Sequence, residues 1–190
     1  METRATLATE LRTILARPGP VVWEVGCGHG HFLTAYAEAH PGKTCIGIDI
    51  ASDRVGRALR KSTRARRENL FFLRAEARLF LQTLPAAAQL DEIFILFPDP
   101  WPKLRHRKHR ILQAQFLADA ANHAAPDGRL YFRTDFRPYF EDAQQALQKH
   151  ADWQLIEAPW PFEFATVFQS RAETYHSLIA QRRPLKRADH

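Results

Sequence analysis

With 190 residues, 45% of them hydrophobic, and a mean hydropathy of -0.38, the chain has the size and make-up of one globular domain. No stretch approaches the roughly 18 consecutive apolar residues of a membrane span, and no signal-peptide core follows Met1, so a cytoplasmic location is expected. A net charge of +6 suits an anionic partner without naming one, and the two cysteines, Cys27 and Cys45, are too few for a disulfide framework and lack metal-ligand spacing.

Leu7, Leu11, Ile14 and Leu15 recur at helical spacing, which predicts a short amphipathic helix over residues 4–16, stopped by Pro18-Gly19-Pro20. It belongs to a short amino-terminal arm, residues 1–19. Strands and helices then alternate: strand Val21–Val25, helix His31–His40, strand Thr44–Ile50, helix 53–66, strand Leu70–Leu73, helix Arg78–Leu84, and the very apolar strand Glu92–Phe97. A helix over Ile111–Ala124 follows, stopped by the sequence APDG. The strand Arg129–Thr134, a helix at 138–149, a strand near Trp153–Glu157 and an alternating stretch around Tyr175–Gln181 complete the pattern. Such alternation with short connections predicts a single α/β domain over residues 1–190 with a mainly parallel sheet. The tail Pro184–His190 is expected to fray.

In open parallel sheets, ligands bind beyond the carboxyl ends of the strands. Five carboxylates fall at or just past those ends: Glu24, Asp49, Glu76, Asp99 and Asp135. Any one of them reads equally well as a helix cap, but five in succession are better explained by a site.

The loop after the first strand, EVGCGHGHF, holds Gly26, Gly28 and Gly30. A dinucleotide fingerprint requires glycine at position 31, where this chain has His31, and a P-loop requires Gly-Lys-Ser/Thr, which is missing. The spacing resembles instead the first motif of the Rossmann-like S-adenosylmethionine methyltransferases. A carboxylate at Asp49 is suited to accept ribose hydroxyls, and Glu76 to meet an adenine edge. His29 and His31 have no carboxylate partner that would make a metal site, so no metal is expected.

The segment Leu96–Arg110, LFPDPWPKLRHRKHR, joins a proline-stiffened aspartate to a dense cationic run. A second run, RKSTRARR from Arg60 to Arg67, reads as a solvated helix face. FPDPW followed by Lys, Arg and His resembles the signature of the bacterial tRNA (guanine-N7-)-methyltransferases. The resemblance extends from about Val22 to Arg183 and includes GIDI, Thr134-Asp135, and Thr166, Phe168 and Arg171. It implies a Rossmann-like methyltransferase fold, a seven-stranded sheet with an antiparallel last strand and helices on both faces. It also implies methyl transfer from S-adenosylmethionine to guanine N7 of tRNA, at the variable-loop guanosine 46.

By that resemblance Glu24, Gly26, Gly28, Gly30, Asp49, Glu76 and Asp99 hold the cofactor, with Asp99 also catalytic. Lys103, Asp135, Thr166, Gln169 and Arg171 meet the substrate, and Arg105, Arg107, Lys108 and Arg110 grip RNA phosphates. The chemistry agrees: guanine N7 has its own lone pair, so carboxylates that stabilise a cationic purine are needed more than a strong base.

Two departures stand out. Gln169 occupies the family's usual glutamate position, with Ala172 where a glycine usually follows the arginine, and the amino-terminal arm is short. They leave two alternatives open: a paralogue with another RNA or a small molecule as substrate, and an RNA-binding relative without catalysis. Oligomeric state is not legible in these residues.

Overall fold

The computed structural model describes residues 3–16, 18–65, 67–164 and 174–184. Strands β1 (Val21–Val25), β2 (Thr44–Asp49), β3 (Leu70–Arg74), β4 (Leu90–Leu96), β5 (Ala124–Thr134), β6 (Trp153–Leu155) and β7 (His176–Arg182) form one sheet in the order β3-β2-β1-β4-β5-β7-β6. All pairings are parallel except those of β7, which runs antiparallel to both β5 and β6. The α/β architecture and the antiparallel last strand are as expected.

Strand alternation sends side chains to two cores. Val22, Phe94 and Tyr131 face helices α2 (His31–Ala39) and α3 (Ser52–Ala65), which contribute Phe32, Leu33, Tyr36, Val55 and Ala58. Trp23, Ile93, Ile95 and Phe132 face α4 (Ala77–Thr83), α5 (Ala114–His123) and α6 (Arg137–Lys149), where Trp23 stacks on Phe80 with ring centroids 4.6 Å apart. Helix α1 (Arg4–Ile14) is amphipathic as expected, with Leu7 and Leu11 fully buried in this second core.

Three local differences from expectation stand out. The helix expected from Ile111 begins at Ala114, because the Ile111 and Leu112 N–H groups donate to the Tyr139 hydroxyl at 2.9 and 3.4 Å. Strand β5 begins before the APDG turn rather than after it, pairing Ala124 with Leu90 across a bulge. Within the cationic run, Leu104–His109 winds into a 3-10 helix. No described helix is long and apolar enough to cross a membrane.

Candidate active site

Chain order along the sheet reverses between β1 and β4, so a crevice opens beyond their carboxyl ends. The glycine loop leaves β1 there and the Asp99 loop leaves β4. Gly26, Gly28 and Gly30 all adopt positive φ, at 72°, 54° and 69°. A Cβ on Gly26 or Gly28 would meet nothing within 4 Å, whereas one on Gly30 would stand 2.4 Å from the Phe72 ring. Gly30 therefore lets the loop close onto the core, while the other two leave a cradle open toward the crevice.

Two buried carboxylates floor this cradle. Asp49 accepts from Gly28 N at 3.0 Å and Ala51 N at 2.9 Å, lashing the glycine loop to the end of β2 while keeping lone pairs for a ligand. Glu24 is 4% exposed, and its Oε2 has no hydrogen-bond partner among the described residues. Burial foremost pushes its pKa to about 8; the Leu33 N–H opposes the rise and the Asp49 charge adds to it. An orphaned buried carboxylate beside an open cradle fits a ligand with hydroxyl and ammonium donors. Glu76 caps α4, both oxygens accepting from Arg78 N and Leu79 N at 3.0 Å.

The Asp99 loop is held in an uncommon shape. Phe97 and Trp101 have φ of 49° and 44°, and with Asp127 they are the only described non-glycine residues at positive φ. Strained backbone bracketing one exposed aspartate points to function. Asp99 and Asp135 are both exposed and have no ion pair or hydrogen-bond partner among the described residues. A groove of about 300 Å³ runs between Glu76 and the cationic run, lined by Arg78, Lys108, Gln113 and Asp119 among others. A larger cavity, about 610 Å³, lies between α6 and β7 near Arg133 and Trp160, and none of the five strand-end carboxylates lines it. Among the described residues, no group of three or more His, Cys, Asp or Glu could hold a metal ion.

A family model described as "Putative methyltransferase" matches residues 18–179. A tRNA (guanine-N(7)-)-methyltransferase of Lachnoclostridium phytofermentans is 31% identical over 181 residues, covering 89% of this chain and 84% of that protein. The chain belongs to the tRNA (guanine-N7-)-methyltransferase family. Another such protein, from Treponema pallidum, is 37% identical over 160 residues, 83% of this chain and 63% of its own length. The chain thus spans somewhat less than two thirds of that relative. The fold is shared more widely: a 16S rRNA (adenine(1408)-N(1))-methyltransferase from Catenulisporales acidiphilia superposes with a TM-score of 0.65 at 20% identity, covering 94% of this chain and 92% of that one.

Within this family member, one expected RNA contact needs correction. Arg110 is 4% exposed and unavailable to a phosphate. Its guanidinium donates to Pro100 O (2.9 Å), Trp101 O (3.4 Å) and Pro138 O (3.2 Å) and pairs with Asp142. It also lies over the Tyr139 ring, 4.8 Å from the centroid. Arg110 is a brace tying the Asp99 loop to α6, the helix that begins just after Asp135. Arg110→Ala is expected to lower stability by about 2–3 kcal/mol, read as a fall in Tm of roughly 5–10 °C; the partly exposed Asp142 keeps this below the usual cost of breaking a buried pair. Arg110→Lys should recover only part, because an ammonium cannot reproduce the fork.

Lys103, Arg105, Arg107 and Lys108 are exposed, Arg107 also lying 3.5 Å from Asp142. Thr166, Gln169 and Arg171, with Phe168 and Ala172, lie outside the described residues, as do residues 185–190 of the tail. One feature escaped the sequence reading. Ile50, directly after Asp49, is 65% exposed at the rim of the cradle. A large apolar side chain at a strand's carboxyl end, directly after a buried carboxylate, is the signal that marks it.

Proposed function

We propose that this protein transfers a methyl group from S-adenosylmethionine to N7 of a guanine in tRNA, with the variable-loop guanosine as the target and the cytoplasm as the place of work. The observation that carries this reading is the juxtaposition at one crevice of an open glycine cradle, floored by Glu24 and Asp49, with the unpaired carboxylate of Asp99 in its strained loop. The names borne by the relatives support the choice of tRNA and of guanine.

S-adenosylmethionine, when bound, supplies an electrophilic methyl group on a sulfonium. Asp49 is suited to take ribose hydroxyls and Glu24 the ammonium of the amino-acid end, while Ile50 offers an apolar face to the base. Guanine N7 attacks with its lone pair, so a carbon–nitrogen bond forms, the carbon–sulfur bond breaks, and no proton has to leave. The product base is a cation. Asp99 stabilises that developing charge, and Asp135 accepts from guanine N1–H and the 2-amino group, a donor pattern adenine lacks. Lys103, Arg105, Arg107 and Lys108 hold phosphates and keep the extruded nucleotide in register.

The test is methyl transfer from labelled S-adenosylmethionine to unmodified tRNA, with product nucleosides identified by mass spectrometry. 7-Methylguanosine is expected, and Asp135→Ala should reduce it at least tenfold. Labelled product on another base, or on none, would overturn the reading.

A further inference from the structure

We propose that the outer face of α3 is a second phosphate-contacting surface for RNA, across the crevice from the Lys103–Lys108 run. The proposal rests on the tRNA reading above. Val55 and Ala58 turn one side of α3 into the core, and Arg57, Arg60 and Arg64, spaced three and four apart, lie exposed along another.

What distinguishes these three is their lack of partners. Among the described residues, none of these three guanidinium groups makes a hydrogen bond or an ion pair. Elsewhere the guanidinium groups are engaged, as in Arg67 with Glu38, Arg78 with Asp119, Arg137 with Glu141 and Arg182 with Asp152. Arg4, Arg12, Arg74 and Arg183 instead donate to nearby oxygens. Even Asp53, one turn before Arg57, forms no ion pair with it. Like charges three and four apart weaken a helix by a few tenths of a kcal/mol per pair. A polyanion lying along the face would remove that repulsion and form charge-assisted, bidentate contacts. On this proposal Arg60 and Arg64 of the Arg60–Arg67 run meet RNA phosphates as well as solvent.

The placement suits the same ligand. Ala58 packs where a Cβ on Gly30 would sit, 3.0 Å away, and Lys61 Nζ reaches His29 O and His31 Nδ1, both at 3.0 Å. Arg54 stands 3.8 Å from Asp49. Helix α3 therefore leans on the cradle itself, on the α2 side of the sheet, while the Lys103–Lys108 turn follows β4 and is tied to α6 through Arg110. A nucleic acid whose base enters the crevice has cationic surface on both flanks.

The triple variant Arg57→Gln, Arg60→Gln, Arg64→Gln tests this through binding rather than turnover. Affinity for unmodified tRNA is measured over a range of salt concentrations. Three lost phosphate contacts should flatten the dependence of log Kd on log salt by about two. S-adenosylmethionine affinity and Tm should be retained, and Arg12→Gln with Lys149→Gln, two cations remote from the crevice, should leave the slope unchanged. An unaltered slope in the triple variant, or equal flattening in the remote pair, overturns the proposal. A protein that binds tRNA salt-sensitively but methylates nothing would refute the proposed activity and leave the α3 surface to be judged by its slope. Absence of any tRNA binding would end both.

Discussion

Asp99→Ala is expected to lower kcat about a hundredfold or more while changing S-adenosylmethionine affinity no more than a few-fold. The carboxylate is exposed and unpaired among the described residues, so it is not a structural group whose loss would unfold the loop. The loop's shape is set by its neighbours instead, through the Arg110 bonds to Pro100 O and Trp101 O and through Phe97 N, which donates to Arg133 O at 2.8 Å. A preorganised charge facing a developing cation acts mainly in the transition state, and removing one such group costs roughly two to three orders of magnitude. Asp99→Asn keeps size and an acceptor oxygen but loses the charge, so it should fall almost as far. If cofactor affinity collapses in both variants while single-turnover methyl transfer stays intact, Asp99 is a cofactor ligand and not a stabiliser of the cationic base.

The sequence disclosed what depends on neighbouring residues and concealed what depends on distant ones. The glycine loop and FPDPW are legible because their chemistry is local: three glycines permit one backbone path, and prolines bracket one aspartate. The strand pattern is legible for the same reason, since buried parallel strands read as short apolar runs. Arg110 was not. In the string it is one more cation of a basic run, and only the approach of Asp142 and Pro138, about thirty residues away, turns it into a buried brace. Tyr139 likewise shortens α5 from a distance by satisfying the Ile111 and Leu112 N–H groups. For the α3 arginines composition alone does not decide, because a solvated face and a phosphate-binding face share one composition. What separates them is whether carboxylates elsewhere in the fold come within reach.

Glu24 gives the second large effect, a dependence of both stability and ligand binding on pH. Burial raises its pKa from an ordinary 4.5 to about 8, so between those values the folded protein holds a proton that the unfolded chain has released. Stability contributed by this group is full below about 4.5 and is lost as pH rises to 8. The loss at the alkaline end is on the order of a few kcal/mol. Glu24→Gln cannot ionise, so the difference in Tm between variant and parent should widen from pH 5 to pH 8.5 in favour of the variant. Ligand binding must run the other way. An ammonium placed against the orphaned Oε2 favours the carboxylate, draws its pKa back down and expels the proton. S-adenosylmethionine should therefore bind more tightly as pH rises toward 8, and calorimetry in buffers of different ionisation enthalpy should register proton release near pH 7. Glu24→Gln should bind more weakly with no proton release. PH-independent binding by the parent protein would mean that the amino-acid end of the ligand never reaches this carboxylate, and the floor of the cradle would then rest on Asp49 alone.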